Sequence, residues 1–183
     1  MLSSDLIRWS GSAAMLGGVF WVVWSLLYRV SFEAAGGSFA DVLLLLAALL
    51  TLAGLVGLHA LQGGNYGSVG RAGFYTATLG LLAQALAALL LLMGYEVLWL
   101  LAPVGSLTVL VGLVLYGAAT LQARVLAPWC GLVLIVVPPI AFYLNSKVFY
   151  GSLALFGVLW VALGYVLWSR GGTPTEQRPS RVR

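Results

Sequence analysis

The stretch from Gly73 to Ala123 limits the fold of this chain more than any other, because Glu96 is its only charged residue. One helix needs ~20 apolar residues to cross a lipid bilayer, and this stretch is more than twice that long. The natural break is Met93-Gly94-Tyr95-Glu96, where a glycine and a charge favour a turn outside the apolar layer. The stretch therefore predicts a hairpin of two transmembrane helices.

The composition extends this prediction to the whole chain. Hydrophobic residues make up 62% of the sequence and charged residues only 8%, whereas soluble domains average about 25% charged residues. A water-soluble surface cannot be built from so few charges, which excludes an ordinary soluble globule. The apolar runs show no alternation of period two and are much longer than the ~10-residue strands of a membrane barrel. We predict an all-α integral membrane protein, folded as a compact bundle of six transmembrane helices.

Polar and glycine-rich interruptions divide residues 1–170 into six spans. Residues 171–183 are rich in Gly, Pro, Thr and Arg, and they predict a disordered basic cytoplasmic tail. The predicted spans are Trp9–Tyr28, Phe39–Leu61, Val69–Met93, Val97–Leu121, Ala127–Leu144 and Val148–Trp168.

The positive charges predict an orientation for these spans. With six spans the two termini share a side, and that side carries seven of the nine Lys and Arg residues. The opposite side carries only Arg29 and Lys147, together with the acids Glu33, Asp41 and Glu96. Cytoplasmic segments carry the excess of Lys and Arg, so we place both termini in the cytoplasm and the protein in the plasma (inner) membrane.

A weak internal repeat accompanies the first, third and fifth spans. They are entered by Arg8-Trp9-Ser10-Gly11, Gly70-Arg71-Ala72-Gly73 and Pro128-Trp129-Cys130-Gly131. Repeats of this kind predict three consecutive helical hairpins inserted in the same sense. Chance is the competing explanation, since small residues are common in membrane helices.

The first span carries small residues at four-residue spacing, namely Ser10, Ala14 and Gly18. This spacing lets two helix backbones approach closely. The partner helix can belong to the same bundle, to another membrane protein or to a second copy of the chain. The expected partners are therefore the lipid bilayer and either a membrane-protein subunit or a homo-oligomer.

Six spans in about this length, with that spacing in the first span, are similar to the vitamin-binding subunits of energy-coupling-factor importers. Those subunits also carry a small-residue motif in their first span. The resemblance covers the spacing of Ser10, Ala14 and Gly18 and the chain length, and no ligand-binding residue is carried over from it.

Several polar or helix-breaking residues fall at mid-membrane depth. Gln84, Ser106 and Thr108 lie at one level across the central hairpin, Thr51 is near the middle of the second span, and Pro138 interrupts the fifth. One interpretation is hydrogen bonding between helices, with the prolines as kinks. The other is a small polar-lined cavity that binds a ligand.

Two tryptophans, Trp21 and Trp160, lie inside spans rather than at the interfaces where Trp and Tyr normally collect. They can face lipid, or they can fill space within the bundle, which is the interpretation that we favour. A wall for an apolar or aromatic ligand is the alternative, and Trp160 therefore joins the candidate cavity residues.

The ionisable residues offer little chemistry. His59 is the only histidine and Cys130 the only cysteine, which excludes a bis-histidine haem and a histidine-rich metal site. The sequence contains no recognisable catalytic or phosphate-binding motif. The basic residues lie at span ends rather than in a stripe, so nucleic acid is not an expected partner. We expect no cofactor, no metal, no catalytic residue and no enzymatic activity.

These observations predict a small polytopic membrane protein that binds or transports a small or lipophilic solute through a cavity within the bundle. The alternative is a non-catalytic accessory or scaffold subunit of a larger membrane complex.

Overall fold

The computed structural model describes residues 2–34, 38–63, 67–95, 101–147 and 151–171. These ranges contain six helices and no strand, and each helix is long and apolar enough to cross a membrane. The all-helical class and the number of candidate spans are therefore confirmed. The helices are α1 (Leu2–Ala34), α2 (Ser38–Gln62), α3 (Gly67–Leu92), α4 (Leu101–Ala123), α5 (Pro128–Lys147) and α6 (Ala154–Gly171).

Some predictions fall outside the described residues. They are the start of the fourth span at Val97, the start of the sixth at Val148, the turn at Glu96 and the tail from residue 172 onward.

The helices form a ring in chain order that closes where α6 meets α1. The most extensive contacts join α3 to α4, α1 to α6, and α1 to α2, and α2 also touches α6. Two of the three predicted hairpins, α1–α2 and α3–α4, are thus close pairs. The third differs, because α6 packs chiefly on α1 and contacts α5 over a much smaller surface.

Glycines explain why α6 packs on α1. A Cβ atom at Gly157 would lie 2.5 Å from the carbonyl oxygen of Gly18, and one at Gly164 would lie 2.6 Å from the carbonyl oxygen of Gly11. Real Cβ atoms do not come so close to backbone, so only glycine permits this approach. The two helices meet backbone to backbone, a contact that holds helices together in lipid through dispersion.

Glycines also allow close backbone contact between α3 and α4. A Cβ atom at Gly73 would lie 2.5 Å from the amide nitrogen of Tyr116, and one at Gly80 would lie 2.5 Å from that of Val109. In both pairs the glycines of a helix are two turns apart and therefore share one face.

The outward faces of the helices are as apolar as the interior. On α3 the exposed side chains include Leu79, Leu82, Leu86 and Leu89, whereas a helix facing water would be polar there. The interior is filled by large side chains such as Trp160, which is fully buried. Six hydrophobic helices with apolar outer faces suggest a multi-pass membrane protein.

Candidate functional site

A cavity of about 420 Å³ lies between the helices. It sits toward the end of the bundle where α1, α3 and α5 finish, which we call the distal end; the opposite end is the proximal end. All helices from α1 to α5 contribute to its wall. The side chains that give it chemical character are Trp21, Trp24, Asp41, Gln84, Ser106 and Phe142, and the rest of the lining is apolar.

The amide of Gln84 is the most constrained polar group of this cavity. Its Nε2 donates a hydrogen bond of 2.8 Å to the hydroxyl oxygen of Ser106. That hydroxyl in turn donates to the carbonyl oxygen of Ala102, also at 2.8 Å. A serine hydroxyl has one proton; with that proton on Ala102, Ser106 accepts from Gln84, and the amide is oriented with Nε2 toward Ser106. Gln84 Oε1 is consequently an acceptor, and it is buried with no hydrogen-bond partner among the described residues.

An aromatic wall forms the α1 side of the cavity. The Trp21 Nε1 donates a hydrogen bond of 3.1 Å to the hydroxyl of Thr51, on α2. The Trp21 ring meets Trp24 edge to face, with centroids 5.7 Å apart and planes at 84°. Because its N–H is already used, Trp21 offers the cavity only the carbon surface of its ring.

Asp41 is the one ionisable residue among the described residues that line the cavity. It lies in the first turn of α2, where the helix dipole favours a negative charge. The sequence analysis grouped Asp41 with the outer loop, because it lies so close to the start of the apolar run. In the structure the helix begins at Ser38, and Asp41 turns toward the space between the helices.

The structure brings together two of the six predicted cavity residues, Gln84 and Ser106. Thr51 does not line the cavity, but its hydroxyl accepts the hydrogen bond of the Trp21 indole, which does. Thr108 is partly exposed, and its hydroxyl bonds back to the carbonyl oxygen of Val104 on its own helix.

The other two candidates lie in the packed interior. Pro138 is buried inside α5, which continues through it, and it does not line the cavity. Trp160 is fully buried in the core, edge to face with Phe156 at a centroid distance of 6.3 Å. It therefore fills space and is not part of the cavity wall.

The three small residues of the first span are covered by this chain itself. A Cβ atom at Gly57 on α2 would collide with the Ser10 hydroxyl, and one at Gly54 would lie 2.5 Å from the Ala14 side chain. Gly18 lies against α6, as described above. Their close approach is made within one bundle.

A second buried glutamine resembles Gln84 closely but lies elsewhere. Gln62, at the proximal end of α2, donates from Nε2 to the Thr120 hydroxyl at 2.8 Å, and Thr120 donates to the Tyr116 carbonyl oxygen. Its Oε1 is likewise buried without a hydrogen-bond partner in the described residues. This pair was not predicted from the sequence, because the second span was predicted to end at Leu61, one residue before Gln62.

The sequence analysis also missed Trp24 and Asp41 as cavity residues. Their signals were present, since Trp21 and Trp24 are three residues apart and share a helix face. Within the described ranges, His, Cys, Asp and Glu side chains do not gather in groups of three that could hold a metal ion. What the cavity offers is therefore hydrogen bonding, one carboxyl group and aromatic surface.

Comparisons with known protein families, curated proteins and solved structures find no match to this chain.

Proposed function

We propose that this chain is a six-span membrane protein that binds a small molecule in the distal cavity, for transport or for capture. The length and apolar outer faces of the six helices support insertion into a lipid bilayer. The unequal distribution of Lys and Arg supports cytoplasmic termini, which turns the cavity toward the outer face of the plasma (inner) membrane.

The observation that carries the proposal is that Gln84 lines the cavity while its Oε1 is buried without a hydrogen-bond partner among the described residues. Leaving such a group without a partner costs about 1–3 kcal/mol. A ligand that places an N–H or O–H against it recovers that free energy. With the Ser106 proton on the Ala102 carbonyl oxygen, a reversed amide would set its oxygen against another acceptor.

The size and lining of the cavity agree with this role. Its volume of about 420 Å³ falls within the range of roughly 300–1,000 Å³ that is typical of small-molecule sites. Such sites are mostly apolar and carry a few well-placed polar groups, as here with Asp41, Gln84 and Ser106.

Native mass spectrometry of the gently solubilised protein tests the proposal. We expect a bound small molecule in the wild type and in Gln62→Leu, and its loss in Gln84→Leu. Gln62 is a matched control, because it is equally buried and equally hydrogen-bonded to a hydroxyl but does not line the cavity. A ligand that survives Gln84→Leu would contradict the proposal, and so would a wild type that neither carries nor binds a small molecule.

The same spectrum tests the alternative role as a non-catalytic accessory subunit. A membrane protein bound in stoichiometric amount would favour that role over solute binding. It would have to dock on a surface other than Ser10, Ala14 and Gly18, since α2 and α6 cover those residues.

A further inference from the structure

We infer that the ligand of the distal cavity is a small organic cation: a protonated amine attached to an apolar or aromatic body. This inference rests on the proposed function and names the class of molecule that the cavity selects.

The first argument is the hydrogen-bonding character of the cavity wall. Gln84 Oε1 is an acceptor without a partner, and a carboxylate at Asp41 offers only acceptor atoms. The protons of the Ser106 hydroxyl and of the Trp21 indole are committed to Ala102 and Thr51. Gln84 and Asp41 therefore favour a ligand that donates hydrogen bonds, while Trp24 adds one indole N–H, a donor, to the described wall.

The second argument is charge. Among the described residues that line the cavity there is no Lys, Arg or His, and Asp41 is the one of them that can carry a charge. A cation placed there gains a charge-assisted hydrogen bond, whereas an anion meets a like charge and finds no basic side chain among the lining residues. For the same reason a zwitterion finds no basic side chain among the described lining residues to hold its carboxylate.

The third argument is the aromatic surface. Trp21 and Trp24 line the cavity together with Phe142, and indole is the side chain that attracts cations most strongly through its ring face. The remaining wall is apolar, with Leu44 and Leu91 among its members. In such a ligand the ammonium group would contact the acceptor groups of Gln84 and Asp41, and the apolar body would pack against the aromatic rings.

Three probes of similar size and different charge test the inference: 2-phenylethylamine, 2-phenylethanol and phenylacetate. Binding to the purified protein in detergent is measured by ligand-induced thermal shift and by calorimetry at neutral pH. We expect the amine to bind about ten-fold more tightly than the alcohol, because hydrogen bonds to charged groups are the stronger ones, and phenylacetate to bind weakest.

Substitutions then show which side chains produce the preference for the amine. Asp41→Asn should raise the Kd of the amine about ten-fold and change that of the alcohol less than about two-fold. Retained binding of the alcohol shows that the variant is folded. Asp5→Asn makes the same chemical change on a residue outside the cavity and should alter neither Kd. Trp24→Leu should weaken the amine about three-fold through loss of the cation–π contact.

The outcomes separate this inference from the proposed function. If the alcohol or phenylacetate binds as tightly as the amine, or if the co-purified molecule has no basic nitrogen, the cation inference is wrong while binding in the cavity stands. If none of the probes binds and no small molecule co-purifies, the proposed function fails as well. A preference for the amine that persists in Asp41→Asn would also overturn the inference.

Discussion

Replacing Gly157 with alanine tests whether the bundle is closed by direct backbone contact between α1 and α6. The added Cβ atom would lie 2.5 Å from the carbonyl oxygen of Gly18 and 2.9 Å from the amide nitrogen of Val22. Both neighbours are backbone atoms, so no side chain can rotate away. The only relief is for the two helices to move apart.

Two opposing contributions set the expected size of the effect. Alanine is a better helix former than glycine by about 1 kcal/mol, which would stabilise the variant. Forcing an extra carbon into a closed contact costs about 1–3 kcal/mol. Opening the seam by even 0.5–1 Å also forfeits roughly a quarter to a half of the dispersion energy of the contacts along it. We expect the second and third terms to dominate, with a net loss of about 2 kcal/mol.

The free energy of unfolding is measured by reversible denaturation in mixed micelles. Val158→Ala is the control at the next position of α6, where the side chain is 58% exposed, and it should change stability by less than about 0.5 kcal/mol. If Gly157→Ala is more stable than the wild type, the gain in helix propensity is not offset by a steric cost at the contact between α1 and α6. The close approach of α1 and α6 would then be refuted.

Three further changes test other parts of the molecule. Thr51→Val removes the acceptor of the buried Trp21 N–H and should lower the free energy of unfolding by about 1–3 kcal/mol in a thermal melt, whereas Thr51→Ser should restore most of it. Gln84→Leu should shift stability by no more than about 1 kcal/mol, because the amide and its unfilled acceptor leave together, and a loss of several kcal/mol would reveal a larger buried network. Glu96→Cys should react with an impermeant thiol reagent from outside intact cells, and labelling from the cytoplasmic side alone would reverse the proposed orientation.

The number and the nature of the helices could be predicted because the sequence leaves no alternative. A run such as Gly73–Ala123 is too apolar for water, and in lipid its backbone must satisfy its own hydrogen bonds. Helices do this within one segment, so length and charge placement determine where they lie. The depth of a residue follows from the same count, and this is why Gln84 and Ser106 were expected at one level.

The face of each helix could not be predicted in the same way. Helices that are apolar on all sides carry no periodic signal that distinguishes interior from exterior. Ser106 and Thr108 are only two residues apart, yet Ser106 meets Gln84 while Thr108 bonds to its own helix. The sequence could not show for the same reason whether Trp160 faces the interior. Trp160 lies in a packed core that depends on the contacts of α6 with α1 and α2.

The helix contacts and the cavity are linked through Gly105. A Cβ atom at that position would lie 3.0 Å from the Cγ of Gln84 and 3.0 Å from the carbonyl oxygen of Gly80, so the glycine touches both the α3–α4 seam and the cavity amide. The next residue of α4 is Ser106, which receives the 2.8 Å hydrogen bond from Gln84. The hydrogen bond thus joins the same two helices that are in close contact at Gly105. We therefore expect a substitution that moves α3 and α4 apart to weaken the hydrogen bond from Gln84 to Ser106. Gln84 Oε1 would then lose its fixed orientation, on which selection of a ligand that donates hydrogen bonds depends.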